Sequence, residues 1–173
     1  MLGPFDVFPR LTTGRLILRK LTVEDIPCLI QHANNPRIAE NVLNIPYPYQ
    51  EPDAAFRLAF VHQGFSQRLR VVFAIALKQN NEVIGEAGLH FSGDRSSAEI
   101  GYWLSEKYWS MGYTSEAVKS IVDYGFRVHP LNAIYAICKE GNIASQKVAI
   151  NCGMEVFSQG NGMIRFMVKS PKL

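Results

Sequence analysis

Three apolar segments in the middle of the chain limit the possible folds more than any other feature of the sequence. Residues 71–77, 82–91 and 97–104 are rich in β-branched and aromatic side chains. The polar sequences QNN and SGDRSS, which favour turns, separate these segments. Apolar segments joined by such short turns pair as antiparallel strands. The sequence therefore predicts a three-stranded antiparallel meander.

An amphipathic helix and a further strand follow the meander. Residues 114–128 place polar side chains at helical spacing on one face and apolar side chains on the remainder. Residues 133–138 are apolar and typical of a short strand. A strand–helix–strand crossover joins parallel strands, so this strand should lie parallel to its neighbour. We predict an α/β (α+β) fold with a mixed, mostly antiparallel central sheet flanked by helices.

Weaker patterns extend the sheet and its covering helices. Thr22 and Asp25 resemble a capping box at the start of a helix over residues 23–34, and Asn142 can cap a helix that ends near residue 152. The other expected elements are strands at residues 15–21, 154–158 and 163–168 and a helix at residues 53–67. The sheet should therefore contain about seven strands.

The sequence NIPYPYQEP, residues 44–52, contains too many prolines for either regular structure. We expect a loop that exposes Tyr47 and Tyr49. Such a loop can line the mouth of a substrate site.

The composition favours one globular domain over residues 1–173. With 173 residues, 47% of them hydrophobic, the chain is long enough for one sizeable core. Its net charge of +3 comes from 18 basic and 15 acidic residues spread along the chain, which argues against a nucleic-acid partner. The N-terminal sequence lacks the pattern of a secretion signal, and no apolar run reaches the length of a membrane span. We therefore expect a cytoplasmic protein without a membrane partner.

The cysteines and histidines predict neither a disulfide framework nor a metal site. Cys28, Cys138 and Cys152 are odd in number and lack CxxC spacing. The histidines show no HxH or HxxxH pairing. We expect the cysteines to be small core side chains, and we expect no bound metal.

The sequence YWSMGYTSEA, residues 108–117, offers a candidate phosphate site. Gly112 tolerates a positive φ and the close approach of a ligand, while Thr114, Ser115 and Glu116 are typical of helix starts. Backbone N–H groups at a helix N-terminus can bind a phosphate. An ordinary turn into a helix explains the same residues, and taken alone they favour that simpler interpretation.

Three longer stretches resemble one superfamily. LTTGRLILRKLTVEDI near the start, AEIGYWLSEKYWSMGYTSEAVKSIVDYGF in the middle and NIASQKVAINCGME toward the end are similar to the GNAT (GCN5-related) N-acetyltransferases. Within that superfamily the chain looks most like the ribosomal-protein N-terminal acetyltransferases of the RimJ/RimL type. The resemblance covers nearly the full length, and it implies the GNAT fold and acetyl-CoA as cosubstrate.

The resemblance gives two backbone segments a role in binding acetyl-CoA. The first would hold the pyrophosphate through its N–H groups, and Gly112 would leave room for the phosphate. Its residues are Trp109, Ser110, Met111, Gly112, Tyr113, Thr114 and Ser115, of which Trp109 and Thr114 depart from the commonest residues of the superfamily. The backbone N–H groups of Tyr102, Trp103 and Leu104 would pair with the pantetheine arm, and one of them would polarise the thioester carbonyl. Asn142 would cap its helix and touch the pantetheine amides.

The resemblance also implies candidates for the chemistry. Glu99 matches the acidic residue that acts as general base, and the alternative is a surface carboxylate at the start of a strand. Many superfamily members carry a general-acid tyrosine where this chain has Ala149. Ser145 could bond the thiolate sulfur instead, or it could serve only its own helix. A thiol with a pKa near ~8.5 can also leave without an acid. His90 could face the acceptor or be an ordinary core or surface side chain.

The implied activity is acetyl transfer from acetyl-CoA to a primary amine by direct attack in a ternary complex. The N-terminal amine of a protein, a ribosomal protein for example, is the acceptor that the branch suggests. A small amine such as a polyamine, an amino acid or an aminoglycoside is the alternative. The missing tyrosine at Ala149 also leaves open a non-catalytic acyl-CoA sensor, against which Glu99 argues. The protein should be a monomer or a homodimer.

Overall fold

The computed structural model describes residues 3–171, which contain eight strands and five α-helices. The strands are β1 (Leu11–Thr12), β2 (Leu16–Arg19), β3 (Arg70–Leu77), β4 (Val83–Phe91), β5 (Ser97–Leu104), β6 (Ala133–Lys139), β7 (Glu155–Gly160) and β8 (Met163–Lys169). The helices are α1 (Ile26–Ala33), α2 (Pro36–Ala39), α3 (Glu51–Ser66), α4 (Tyr113–Val128) and α5 (Ile143–Asn151), with short 3₁₀ turns at Val23–Asp25 and Glu106–Tyr108. No helix in this part of the chain is both long and apolar enough to cross a membrane.

All eight strands belong to one sheet in the order β1-β2-β3-β4-β5-β6-β8-β7. The predicted meander is confirmed as the antiparallel strands β3, β4 and β5 at its centre. The crossover through α4 places β6 parallel to β5, as expected, while the other neighbouring strands are antiparallel. The mixed, mostly antiparallel sheet predicted from the sequence is therefore correct.

The two faces of the sheet carry different helices. On one face, strand residues such as Ile100 pack against α4 and α5, where Ile121 is fully buried. On the other face, Trp103 and its neighbours pack against α1, α2 and α3, which contribute Leu29 and Leu58. Alternation along β5 therefore sends neighbouring side chains to opposite layers, and this fixes which groups can meet on each side.

The sequence did not predict β1 and α2. The two residues of β1 pair with Ile17 and Leu18 of β2, and α2 is a single turn in which the side chain of Asn35 accepts a hydrogen bond from the N–H of Arg37. Elements this short have too few residues for a hydrophobic period to be recognised. The additional strand raises the count from about seven to eight among the described residues.

The proline-rich loop differs from its prediction at one tyrosine. Tyr47 is 56% exposed, as expected, whereas Tyr49 is only 3% exposed, so its predicted exposure was wrong. The N–H of Tyr49 donates to Asn34 Oδ1 over 2.9 Å, and its ring joins the core under α1 and α3. Helix α3 starts at Glu51, two residues earlier than expected, because proline is tolerated in the first turn of a helix.

Candidate active site

A cleft opens in the middle of the sheet, between the parallel strands β5 and β6. They pair only from Ser97 to Glu99, opposite Ala133 to Tyr135. Beyond this point β5 stays paired with β4 and β6 stays paired with β8, so β5 and β6 diverge. We call this gap the strand cleft and the Glu99 end its apex. Unpaired strand edges leave backbone N–H and C=O groups available to a ligand.

The pairing of β5 with β4 determines which backbone groups face the strand cleft. The N–H of Ser105 donates to Ile84 O over 2.8 Å, and the N–H of Ser92 donates to Ser97 O over 2.9 Å. Because hydrogen bonding alternates along an antiparallel pair, odd-numbered residues of β5 bond to β4. Tyr102 and Leu104 therefore direct their N–H groups into the strand cleft.

The backbone N–H of Trp103 does not face the strand cleft, unlike those of Tyr102 and Leu104. Its backbone lies opposite Glu86 and bonds to β4, and its side chain points to the α1–α3 layer, where Nε1 donates to Glu86 Oε2 over 2.7 Å. The prediction that its N–H faces a pantetheine arm therefore disagrees with the strand register. Trp109 contacts the same strand, since its Nε1 donates to Leu104 O over 2.7 Å at the wide end of the strand cleft.

The turn before α4 has the backbone shape of an anion site. Ser110 and Gly112 have φ values of 62° and 80°, and Gly112 is the N-cap of α4 without any side-chain cap. The first hydrogen bond into the helix is from Glu116 N to Gly112 O, at 3.0 Å. The N–H groups of Tyr113, Thr114 and Ser115 thus lack partners within the helix. Together with the helix dipole, they favour a bound anion.

Met111, Gly112 and Thr114, three of the residues predicted to bind the pyrophosphate, differ in their exposure and in their place relative to α4. Met111 is 54% exposed, and Thr114 lies in the first turn of α4 because Gly112 takes the N-cap position. A Cβ atom on Gly112 would lie 3.4 Å from Arg15 Nη2 and would need a left-handed backbone. A glycine is therefore the favourable residue here for reasons of backbone geometry as well as ligand access.

Arg15 and Glu116 hold this turn against β2, and neither was singled out as a site residue from the sequence. Arg15 Nη1 donates to Met111 O over 2.9 Å, and Arg15 Nε bonds Glu116 Oε2 over 2.7 Å. Glu116 Oε1 also accepts from the Arg15 N–H and the Thr13 hydroxyl. Since about 100 residues separate these partners, no local pattern could reveal the contact.

Helix α5 brings a hydroxyl pair across the strand cleft. Asn142 caps the helix, as predicted, by accepting a hydrogen bond from the N–H of Ser145 over 3.1 Å. The hydroxyl groups of Tyr102 and Ser145 are 2.9 Å apart, and the Tyr102 hydroxyl also lies 3.1 Å from Ser145 O. Burial raises the pKa of Tyr102 to about 12, so the phenol stays protonated at neutral pH. The structure thus adds Tyr102 to the groups that can supply a proton here.

Glu99 lies at the apex, on the face opposite that hydroxyl pair. Alternation puts its side chain on the α1–α3 face, with His90 directly opposite on β4 and Tyr135 alongside on β6. Partial desolvation raises the pKa of Glu99, and the Arg165 guanidinium opposes the shift. The carboxylate stays exposed to solvent. A carboxylate with a raised pKa at an accessible apex can act as a general base.

His90, left open by the sequence, lies beside this carboxylate. Burial, followed by the charges of Arg70 and Arg57, lowers the pKa of His90 to about 4. The imidazole is therefore neutral at physiological pH and can accept or donate a hydrogen bond without carrying charge. This environment could not be read from a lone histidine at the end of a strand.

Two glycines separate Glu99 from the next charged residue on this face of the sheet. Gly88 of β4 and Gly101 of β5 are directly opposite each other, between the Glu99–His90 pair and the Glu86–Trp103 pair. Glu86 is 2% exposed and interacts with Arg57 Nε of α3 over 3.2 Å. Arg57 also lines a groove of about 590 Å³ that is bordered by α3 and the loop before it. The groove could admit a second substrate.

Two other features lie outside this region. A smaller cavity of about 180 Å³ is formed by the N-terminal segment with Phe91 and His129, and it contains none of the predicted site residues. Cys152 has its thiol 3.6 Å from Ser115 O, and burial raises its pKa to about 11. Within residues 3–171, no three His, Cys, Asp or Glu side chains are grouped so that they could hold a metal ion.

Comparison with known proteins places the chain in a family. Residues 15–155 match the family described as acetyltransferase (GNAT) domain. The uncharacterised N-acetyltransferase p20 of Bacillus licheniformis is 32% identical over 139 residues, which cover 80% of this chain and 78% of that protein.

Two solved structures share the fold. RimL, a ribosomal-protein alpha-N-acetyltransferase in complex with coenzyme A, has a TM-score of 0.80 at 18% identity and covers 95% of this chain and 98% of its own. The microcin C7 self-immunity acetyltransferase MccE, in complex with acetyl-CoA and AMP, has a TM-score of 0.79 at 14% identity, with coverages of 91% and 93%. The family match, together with this fold and its strand cleft, shows that the chain belongs to the GNAT acetyltransferases.

Proposed function

We propose that the protein is an N-acetyltransferase that transfers the acetyl group of acetyl-CoA to a primary amine by direct attack, within one catalytic domain. The observation that carries the proposal is the strand cleft. It combines an uncapped helix N-terminus, two free N–H groups of β5 and a carboxylate at its apex. These groups match the needs of a pyrophosphate, an amide-containing arm and an amine nucleophile.

The residues present fit acetyl-CoA along the strand cleft. The N–H groups of the Ser110–Ser115 turn would hold the pyrophosphate, and those of Tyr102 and Leu104 would pair with pantetheine. Asn142, whose Oδ1 already caps α5, has an amide N–H₂ left for the same arm. The thioester would then lie near the apex, where a β5 N–H group can polarise its carbonyl.

Two groups on opposite faces of the apex would divide the proton transfers. Glu99 takes a proton from the acceptor ammonium, directly or through water, and the free amine then attacks the thioester carbonyl to form the new N–C bond. The C–S bond then breaks, and the hydroxyl pair of Ser145 and Tyr102 donates a hydrogen bond or a proton to the departing thiolate. The 2.9 Å separation of these hydroxyls allows Ser145 to recover its proton from Tyr102. This pair would substitute for the tyrosine missing at Ala149.

For the acceptor, we propose the N-terminal amine of a protein, as in the RimJ/RimL branch. The likeness to RimL in fold and coverage supports this choice. The exposed Tyr47 and the groove beside α3 provide an open approach for a chain end. A protein N-terminus also has a pKa near ~7.7–8.0, lower than the ~10.4 of an alkylamine, so less work remains for the base.

The experiment combines acetyl-CoA binding with release of the coenzyme A thiol in the presence of a peptide panel and a small-amine panel. We expect calorimetric binding of acetyl-CoA and turnover with at least one free N-terminal peptide, with an N-terminally blocked copy as the control. Turnover with small amines but with no peptide would show that the acceptor is a small amine and not a protein N-terminus. Binding without turnover of any amine would favour an acyl-CoA sensor, and absence of binding at millimolar acetyl-CoA would refute the proposal altogether.

A further inference from the structure

Within residues 3–171, no carboxylate pairs with the guanidinium of Arg70, the first residue of β3. Its Nε and Nη1 atoms are buried and have no hydrogen-bond partner in the described part of the chain. The guanidinium carbon lies 3.8 Å from the centre of the Phe60 ring, which stabilises the cation but accepts no conventional hydrogen bond. Burying two guanidinium nitrogens without acceptors costs free energy even though Arg70 is partly exposed, so this arrangement calls for an explanation.

The charged groups around Arg70 increase the local positive potential. The Arg57 guanidinium of α3 also lies over the Phe60 ring, 5.7 Å from its centre, and burial together with Arg57 lowers the pKa of Arg70. The buried carboxylate Glu86 is already engaged by Arg57 and by Trp103 Nε1. His90, directly opposite Arg70 on β4, is neutral. Within the described part of the chain, the positive charge of Arg70 is therefore left uncompensated beside the neutral His90.

The position of Arg70 relates this charge to the apex. Arg70 lies opposite His90, and His90 lies opposite Glu99, so all three side chains share one face of the sheet. Two strand spacings of about 4.8 Å separate the backbone of Arg70 from that of Glu99, about 10 Å in total. Gly88 and Gly101 carry no side chains in the next row, although Val72 of β3 packs beside Gly88 and the His90 ring lies beside Gly101. An acceptor that reaches from the apex to Arg70 would therefore lie over the neutral His90 ring.

We propose that Arg70 recognises a carboxylate of the acceptor, so that the preferred acceptors are amines carrying a carboxylate within about 10 Å of the reacting nitrogen. This inference rests on the proposed acetyl transfer and names its substrate class. A guanidinium edge matches a carboxylate in planar geometry, and the surrounding burial strengthens the interaction. The carboxylate could be that of a free amino acid or that of an acidic side chain at a peptide N-terminus.

The test compares matched acceptors that differ only in this charge. Glycine, β-alanine, 4-aminobutyrate and glutamate are each measured against their carboxamides, and tripeptide amides that start with Asp or Glu are measured against Asn or Gln. In at least one series, kcat/KM should favour the carboxylate by about 10- to 100-fold, the size expected for a hydrogen bond to a charged group. The series that shows the preference identifies the source.

Variants assign the preference to Arg70. Arg70→Gln should reduce the carboxylate preference to near one, and Arg70→Lys should restore part of it, because lysine keeps the charge without the planar fork. Arg127→Gln, an equal charge change at an exposed position of α4, is the matched control. Without ligand, Arg70→Gln should melt no lower than the parent, because it removes an unpaired cation. A melting temperature that drops with unchanged preference would assign Arg70 a purely structural role.

The outcomes separate this inference from the proposed function. Turnover of amines and carboxamides with no carboxylate preference in any series would overturn the inference and leave the acetyltransferase intact. If nothing is acetylated, calorimetry measures the binding of the same acceptors to the protein saturated with coenzyme A. This binding tests the anion site at Arg70 without turnover. Carboxylate-dependent binding that Arg70→Gln abolishes would support the anion site although the acetyltransferase proposal fails. Absence of such binding would overturn the inference.

Discussion

Substituting Gly112 by alanine and by aspartate should separate backbone strain from cofactor electrostatics. Gly112 has a φ of 80°, and a Cβ atom there would lie 3.4 Å from Arg15 Nη2, at the far end of that side chain. Both variants add a Cβ atom at the same place, but aspartate also brings a negative charge to the N-terminus of α4. The two changes should therefore affect stability and acetyl-CoA binding in opposite order.

For stability, alanine in the left-handed region costs about 1–2 kcal/mol. A protein of this size loses about 2–4 °C of melting temperature per kcal/mol, so Gly112→Ala should melt roughly 2–8 °C lower than the parent. Aspartate tolerates this backbone better, and its charge gains about 0.3–1 kcal/mol from the helix dipole. Gly112→Asp should therefore be the more stable of the two variants.

For binding, the order should reverse. If a phosphate charge lies about 5 Å from the added carboxylate, an effective dielectric constant between about 20 and 80 gives a repulsion of about 1–3 kcal/mol. This corresponds to a loss of about 5- to 150-fold in acetyl-CoA affinity beyond that of Gly112→Ala. Salt screens the repulsion, so the difference between the variants should shrink at high ionic strength.

Thermal melts without ligand and calorimetric titrations with acetyl-CoA at low and high salt measure these effects. The expected result is an aspartate variant that melts higher yet binds more weakly than the alanine variant. If the two variants bind acetyl-CoA equally well at low salt, the turn before α4 does not hold the pyrophosphate, and the cofactor assignment is refuted.

Three further predictions concern other parts of the molecule. Ser145→Ala and Tyr102→Phe should keep acetyl-CoA binding in calorimetry yet lower kcat, and equal kcat would remove the hydroxyl pair from the chemistry. Cys152→Ala should retain turnover, whereas an acetylated Cys152 in mass spectrometry would contradict direct attack. His129 is buried with a pKa lowered to about 4, so stability should fall as pH drops from about 6.5 to 4, by up to about 3 kcal/mol. Denaturant titrations at several pH values measure this dependence of the free energy of unfolding on pH. His129→Phe should lose the part that His129 contributes, and an unchanged pH dependence would contradict the prediction.

Much of the fold could be predicted because apolar residues recur at clear helical or strand spacing in its longer elements. The meander and the crossover through α4 were recognised from runs of six or more residues, and they determine the order β3-β4-β5-β6. By contrast, the burial of Tyr49 depends on contacts with α1 and α3, which a proline-rich sequence cannot reveal. Local pattern therefore predicted the elements, and tertiary packing decided the environment of single side chains.

The candidate site was predictable only where backbone shape depends on local residue type. Gly112 was identified because a positive φ favours glycine, and Asn142 because asparagine caps helices. Trp103 was misplaced because strand register, not composition, decides which N–H groups face the strand cleft. The environment of Arg70 depends on Phe60 and His90, which only the fold brings to it.

The most direct test of the account is the pH dependence of acetyl transfer by Glu99→Gln with an acceptor that the parent acetylates. Glutamine keeps the shape of the side chain and removes the base. Because desolvation raises the pKa of Glu99, parent activity should rise with pH as this carboxyl loses its proton and then as the amine does.

The measurement compares kcat/KM of parent and Glu99→Gln between about pH 6 and 9, with calorimetric acetyl-CoA affinity as the control for folding. The account predicts nearly unchanged affinity, a loss of about 10²- to 10⁴-fold in turnover at pH 7, and partial recovery as the free amine becomes abundant at higher pH. Equal turnover of parent and variant across this range would contradict the account and place the general base elsewhere.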